Sequence, residues 1–549
     1  MGKGIVKLGE GDWAVKDGNL LAAKETNGRF KNTEFTVTRG TDATYVGKDG
    51  LIKDASFYNL LPHSEDFTTW TVNAATTVYS NTTETLSPTN TYSASKITSD
   101  GSNGLYKAVA FGGGNNTKSI YLKGIVGGEQ VILRDPAQTI EQKTLTLTTD
   151  WVRYELTENQ TSTIGLWINE IPSNGIYMWG GQLVEGTEAL DYQYTNGKEG
   201  IPRIDFTDNT DGHLLLEPQS KNLVTYSEDF SQWSNVYAIL NANQPSPDGF
   251  NNAFIVEDEN ATAYRKIDET ITTNATPHTF SVFIKKKTSA VSSYSGIQMG
   301  VGFSYVVFDS FNGTYHEQSN TNYDNVEVQD FNSNWWRLKL TATVTTSTRV
   351  ALWGAISTSA TNINNGATGS ETFYGAQLEE LSYATSYIPT NGSQVTRDAE
   401  TCTGAGSSAD FNSEEGVLYL EVAALADDTS QQIGVYGGSI TEQLRIEIAN
   451  SVIKAQLFNG SYQANMSSTQ TVTNFNKVGF KWKVNDFALW INGTEVVTDN
   501  SGTTFSAATL DNINFSAQNG TSSAAQAKVK ALKVYKETDG IDLATLTSL

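Results

Sequence analysis

A chain of 549 residues has room for three or four domains, each able to bury its own core. Its formal net charge of -23 repels nucleic acid and anionic membrane surfaces at long range, and leaves short-range contacts to sugars untouched. Cys402 is the only cysteine, which excludes an intrachain disulfide, and no apolar run approaches the 18 or so residues of a membrane-spanning helix.

Residues 1–30 mix charges and glycines where a signal peptide has an apolar core, so no secretion signal is expected. They are too short for a core of their own and read as a docking segment, with a turn at Asp17-Gly18-Asn19. Residues 31–56 hold FTVTRGTDATYVGKDGLI, in which Phe35, Val37 and Arg39 alternate with threonines and Asp49-Gly50 makes a turn. Residues 57–197 form a first module of short alternating strands, such as Ile120 and Leu122 against Tyr121 and Lys123. Residues 198–219 connect it to a second module, residues 220–395. There Phe280, Val282 and Ile284 make a dry face, and Ser281, Phe283 and Lys285 a mixed one. Residues 396–410, with Gly404, Gly406, Ser407 and Ser408, read as a linker to a last domain, residues 411–549. In that domain Val478, Phe480, Trp482 and Val484 alternate before the Asn492-Gly493 turn. The class is all-β, a series of β-sandwich and jelly-roll modules.

The two modules are copies of one another. YNLLPHSEDFTTW (Tyr58 to Trp70) returns as KNLVTYSEDFSQW (Lys221 to Trp233), 163 residues on. WGGQLVEGTEALDYQYTNG (Trp179 to Gly197) returns as YGAQLEELSYATSYIPTNG (Tyr374 to Gly392), 195 residues on, so the second copy is longer by 195 minus 163, or 32 residues. The extra length falls around YSGIQMGVGFSYVVFDSFNGTY, where Phe311-Asn312-Gly313 predicts an added hairpin. Trp70 and Trp233 recur at one motif position and are expected in cores.

GVLYLEV (Gly416 to Val422), VGFKWKVNDFALWINGTEVV (Val478 to Val497) and ALKVYKETDGIDLATLTSL (Ala531 to Leu549) resemble the concanavalin A-like/laminin-G-like jelly rolls. The doubled NLxxxSEDFxxW pattern resembles carbohydrate-binding-module-like sandwiches of tailed-phage structural proteins. In those proteins a TRxxxATYVxxxGLI run precedes PRIDF and LLLEPQ, and both halves are present here, at Thr38 to Ile52 and Pro202 to Phe230. Module one stands between them, so residues 31–56 and 198–219 should form the two halves of one collar, lying together in space. The resemblance implies a phage virion protein, a tail or head fibre or a capsid decoration protein, held in the particle by its N-terminal segment. It leaves room for structural calcium in the sandwiches without assigning ligands, and no other cofactor is expected.

Enzymatic patterns are missing. His63, His213, His278 and His316 show no metal-ligand spacing, and there is no HExxH, P-loop or GxSxG. Glu65-Asp66 and Glu228-Asp229 could do acid/base work, but read better as turn or capping residues. Asp208, Asn209 and Asp211 before Gly212 resemble a calcium loop, yet Thr207 and Pro218 fall where that loop needs carboxylates, and a tight turn fits better. Sugar binding then rests on aromatic rings with amide neighbours. Of the adjacent pair Trp335 and Trp336, the register with Trp151 makes Trp335 the core residue and Trp336 the outward one. Trp490 alternates away from Leu489 and Ile491, beside Asn492. Trp336, Trp490 and Asn492 are the ligand candidates.

The expected function is a non-enzymatic virion component that displays sandwiches for attachment to host surface glycans, assembled as a homo-oligomer, by analogy with phage fibres a trimer. A decoration protein without glycan binding, and the accessory region of a secreted carbohydrate-active enzyme, are the alternatives.

Overall fold

Period-two alternation becomes antiparallel strands along nearly the whole chain in the computed structural model, with one short α-helix, Leu543–Leu546, among the described residues. The structure describes the backbone of residues 6–9, 14–16, 19–26 and 29–34, and residues 35–549 apart from 56–58, 112, 137–141, 161, 191, 196–201, 208–209, 264, 301–304, 319–322, 362–365, 428–429, 519 and 521. Asp17-Gly18 and Asp208-Asn209, two of the turn positions, lie outside the described residues. None of the described helices is long and apolar enough to cross a membrane. The chain divides into two compact units: Val15–Asn19 with Phe57–Ile201, and Met1–Ala14, Leu20–Ser56 and Pro202–Leu549 together.

The smaller unit holds module one, a sandwich of two five-stranded sheets. One sheet runs Val152–Gln160, Gly114–Gly124, Ile176–Glu185, Ser95–Thr98, Thr77–Tyr79. The other runs Gln142–Thr146, Gln130–Arg134, Thr163–Asn169, Leu105–Ala110, Thr71–Val72. Ile120, Leu122, Leu166, Ile168 and Met178 meet between them with no exposed surface.

In the larger unit module two repeats this order, each sheet gaining one edge strand. Asn325–Asn332 extends Trp335–Thr343, Pro277–Lys285, Gly369–Glu379, Ala253–Asp258, Ile239–Gln244. Thr314–Glu317 extends Tyr305–Asp309, Tyr294–Met299, Ser347–Ser357, Lys266–Thr272, Ser234–Val236. The turn at Phe311-Asn312-Gly313 forms, closed by Gly313 N donating to Asp309 O at 2.8 Å. Its hairpin partner is a shared strand, however, so the extra residues add one strand to each sheet instead of a separate hairpin.

The C-terminal domain stacks two further sheets. One contains Ala527–Tyr535, Glu415–Ala424, Asn476–Lys483, Phe487–Ile491 and Thr494–Asp499. The other contains Tyr462–Thr469, Val452–Asn459, Glu442–Ala449, Gln431–Gly437 and Leu510–Asn514. Val6–Gly9 pairs with Ala531 to Val534 of the first sheet. The collar belongs to this core: Phe35, Val37, Leu214 and Leu216 are buried in it, together with Cys402 and Ala405 from the stretch that reads as linker. Thr36–Thr38 pairs with Thr401–Thr403, and His213–Leu216 pairs with Ala527 to Val529. Between the collar halves, Phe206 N donates to Val46 O at 2.9 Å and Val46 N to an Asp205 carboxylate oxygen at 2.8 Å.

Candidate functional site

The SEDF motif is a closure. In each copy a bend brings the aspartate to the N-cap of a one-turn 3-10 helix, Phe67–Thr69 or Phe230–Gln232, where Asp66 accepts from Thr68 N and Asp229 from Ser231 N, both at 3.1 Å. The phenylalanine ring meets the tryptophan edge-on, at 4.9 Å in module one and 5.1 Å in module two. Each indole N–H donates to a carbonyl seven residues back, His63 or Tyr226. Trp70 and Trp233 are buried in equivalent places.

The same closure ties the start of each module to its end. Asn59 donates to the carbonyls of Gly181 and Gln193, and Asn222 to those of Ala376 and Ile388. The Ser64 hydroxyl lies 2.7 Å from the Tyr192 hydroxyl, and Ser227 lies 2.7 Å from that of Tyr387. The bend sends the glutamates to tyrosine hydroxyls: Tyr192 donates to Glu65 at 3.0 Å, and Tyr374 and Tyr387 donate to Glu228 at 2.9 and 3.1 Å. Burial raises the pKa of Glu228. These carboxylates position rings.

The rings stand on the sheet face turned away from each sandwich core. In module one Trp179 lies 5.4 Å from Tyr121 and 4.5 Å from Tyr192. The Arg153 guanidinium sits 5.7 Å over Tyr121 and donates to the Ser119 hydroxyl at 2.9 Å. In module two Phe283, Tyr374 and Tyr387 take the same places, 6.0, 5.5 and 6.0 Å apart, with Arg337 5.1 Å over Phe283 and 2.9 Å from the Ser281 hydroxyl.

The two faces differ in what covers them. In module two the collar does: Ile52 packs among Phe283, Trp335, Tyr374 and Tyr387, Thr44 donates its hydroxyl proton to Tyr387 O at 2.5 Å, and Asn332 donates to Gly50 O at 2.9 Å. Phe283, Tyr374, Tyr387 and Trp335 are exposed by only 1, 1, 2 and 4%. In module one Trp179 is buried, but Tyr121, Trp151 and Tyr192 are half-exposed. Leu86 and Leu190 at their rim are 43 and 44% exposed. The Trp151 indole N–H donates to Leu86 O at 2.8 Å and Arg153 to Leu190 O at 2.7 Å, so rings and rim are held together. Flat rings, a guanidinium and hydroxyls thus share one partly exposed face, the kind of surface on which a pyranose can stack.

The register of Trp335 and Trp336 is the reverse of the expected one. Leu338 and Leu340 of the same strand enter the sandwich core, which puts Trp336 on the core side and Trp335 on the outer face beneath Ile52. Both faces of this strand are covered, so burial alone does not reveal which is inside. The Trp336 ring is sandwiched: Lys286 Nζ lies 4.1 Å over it, a side chain on Gly313 would strike it, and its N–H donates to Ser310 O at 2.9 Å. Trp490 does alternate away from Leu489 and Ile491, and is half-buried, but the C-terminal residues Ile541, Leu543 and Leu546 join it over Tyr419 and Tyr535. Asn492 adopts a φ of 51° in the turn, accepts from Lys477 N at 2.9 Å and donates to Asn476 at 3.0 Å, so both ends of its amide serve the hairpin. The structure brings Trp490 and Asn492 to one hairpin and leaves Trp336 in another module.

Among the described residues no group of three or more His, Cys, Asp or Glu side chains could hold a metal ion. The Tyr374 hydroxyl lies within hydrogen-bond reach of both Glu228 and Asp248, the Asn252 amide donates to both, and the Ser246 hydroxyl donates to Asp248.

The collar's charges escaped the sequence reading. Arg203, with no exposed side-chain surface, ion-pairs with Glu217 at 2.8 Å and with Glu400. Arg39 pairs with Glu400 at 2.6 Å, and Arg397 with Glu217 at 2.8 Å. Arg39 donates to Ala55 O, Arg203 to Thr44 O, and Arg397 to Pro218 O, so each arginine also fixes a backbone segment. One signal was present: Val37-Thr38-Arg39 recurs as Val395-Thr396-Arg397 at the two entrances to this network.

No protein-family model matches the chain, and no curated protein does. Among solved structures it is similar to the CBM40 of the Ruminococcus gnavus IT-sialidase bound to α2,3 sialyllactose, at 16% identity over 27% of this chain and 94% of that one, TM-score 0.23. It is also similar to the CBM22-1–CBM22-2 tandem domain of Paenibacillus barcinonensis Xyn10C, at 13% identity over 60% and 99%, TM-score 0.22. A third is mouse laminin α1 chain domains LG4-5, at 12% identity over 59% and 92%, TM-score 0.18.

Proposed function

We propose that the protein is a non-enzymatic, glycan-binding component of a tailed-phage particle, and that module one's ring face is the saccharide platform. One observation carries the reading: an aromatic and guanidinium face that exists twice is covered by the collar in module two, whereas in module one Tyr121, Trp151 and Tyr192 keep part of their surface exposed. A face kept in register by Ser64, Glu65 and Tyr192, yet flanked by exposed Leu86 and Leu190, has the rigidity and the apolar surface that sugar stacking requires. The virion setting rests on the resemblance of the collar segments. In that setting the N-terminal segment contacts other virion proteins, and the chain self-assembles, a trimer being the analogy with fibres.

Binding of the full chain to a glycan array tests the platform. Tyr121→Ala and Tyr192→Ala should each weaken the strongest signal about tenfold, since ring stacking and its desolvation are worth about 1–2 kcal/mol. Silence across bacterial-surface glycans would favour the purely structural decoration role, and release of reducing ends from such glycans would overturn the non-enzymatic assignment. Labelling the protein on purified particles tests the setting.

A further inference from the structure

Within the larger unit a cavity of about 80 Å³ opens where the collar strand Thr44–Val46, the outer face of module two and the C-terminal strand Ala527–Tyr535 meet. Space of this size admits ordered water or one small oxyanion such as a carboxylate or sulfate group. Arg337, Lys339 and Lys528 line it, facing Asp205 and Glu217.

The two carboxylates are already engaged. Glu217 pairs with Arg203 and Arg397 and accepts from Ser386, and Asp205 accepts from the backbone N–H groups of Val46 and Thr207. Lys339 pairs with Glu327 at 2.7 Å. Arg337 has no such partner among the described residues. It is only 6% exposed, one of its nitrogens donates to Ser281, and Nε has no acceptor. Its counterpart in module one, Arg153, donates to Leu190 O; the corresponding carbonyl in module two belongs to Thr385, which lines the cavity and receives no hydrogen bond from Arg337. Glu379, Glu217 and Glu327 act on this guanidinium only from beyond ion-pairing distance, and burial still lowers its pKa, so a closer counter-charge would be favourable.

We propose that this cavity binds a small oxyanion, which pairs with Arg337 and is held from the other side by Lys528. The shared chemistry is that of a planar or tetrahedral oxyanion, supplied by the carboxylate of an acidic sugar or by free sulfate or phosphate. Such an anion would lock collar, module two and C-terminal domain to one another. The site is separate from the ring face of module one, so either can fail alone.

Thermal unfolding of the full chain at constant ionic strength tests it, with chloride replaced stepwise by sulfate, phosphate or glucuronate, and with methyl glucoside as the neutral comparison. Binding to the folded state should raise Tm along a saturating curve. Arg337→Gln should abolish the rise, and Lys528→Gln should shift its midpoint about tenfold to higher concentration. Saturation by sulfate or phosphate identifies a free-ion site, and by glucuronate alone a sugar-carboxylate site; each supports the proposal. A linear, unsaturable rise equal in parent and variants, no rise at all, or an equal rise with methyl glucoside would overturn it. If Arg337→Gln does not fold, Lys528→Gln decides the matter by the same criterion.

Discussion

Arg39, Arg203, Arg397, Glu217 and Glu400 sit almost wholly out of water, and their value depends on every member being present. Burial alone would raise the Glu217 carboxyl, but Arg397 and Arg203 overcome it and hold it at about 2. Because this folded value lies below the ordinary 4.5, the network's contribution is complete above that pH and is lost as pH falls from about 4.5 to 2. His213 acts over a higher window. Burial, with Lys528 and Lys530 nearby, lowers its pKa from 6.5 to about 3, so the folded state keeps it neutral and loses stability as pH falls below 6.5. Urea midpoints of the parent should therefore begin to decline just below pH 6.5 and fall more steeply below 4.5. His213→Phe should flatten the first part of that curve. Glu217→Gln should destabilise by about 3–5 kcal/mol at neutral pH, because it leaves buried guanidinium charge uncompensated; an unchanged urea midpoint would contradict the network's role.

Strands and repeats were the most legible elements, since alternation such as Phe280, Val282, Ile284 states which side is dry, and two copies of one motif constrain each other. What the sequence concealed follows from coverage by distant residues. The register of Trp335 and Trp336 is hidden because Ile52, almost three hundred residues earlier, dries the face that would otherwise be wet. Asn492 is engaged by Asn476 and Lys477, and Trp490 packs with Ile541, Leu543 and Leu546, and neither set of partners has a local pattern. The open ring face of module one was equally hidden, since Tyr121, Trp179 and Tyr192 become one surface only after Gly114–Gly124 and Ile176–Glu185 pair. Two substitutions probe these coverings. Ile52→Ala should cost about 2–4 kcal/mol, as a large-to-small change in a closed aromatic cluster, and should increase exposure of module two tryptophan fluorescence to quenchers. Trp490→Ala should lower Tm by several degrees, roughly 2 kcal/mol for a half-buried ring packed under the C-terminal residues, and should leave array binding at module one unchanged.

For the whole molecule, the closure of module one on itself predicts autonomy. A fragment spanning residues 57–201 keeps the bonds of Asn59 and Ser64 to its own last strand and loop, and should unfold in one cooperative transition when expressed alone. A fragment spanning 220–395 lacks the collar over Phe283, Tyr374 and Tyr387 and should be less stable, with exposed apolar surface that binds a hydrophobic dye.

The pairing of Thr36–Thr38 with Thr401–Thr403, and of Arg39 with Glu400, has a mechanical consequence. Tension applied between residue 35 and the C-terminal domain passes straight across these few rungs, so both modules are loops hanging off the load path. Such a load would strain the collar without stretching the sandwiches. Only when the rungs and their ion pairs shear would the pull reach module one and then module two, and single-molecule extension should show that order as a first small release followed by two large ones.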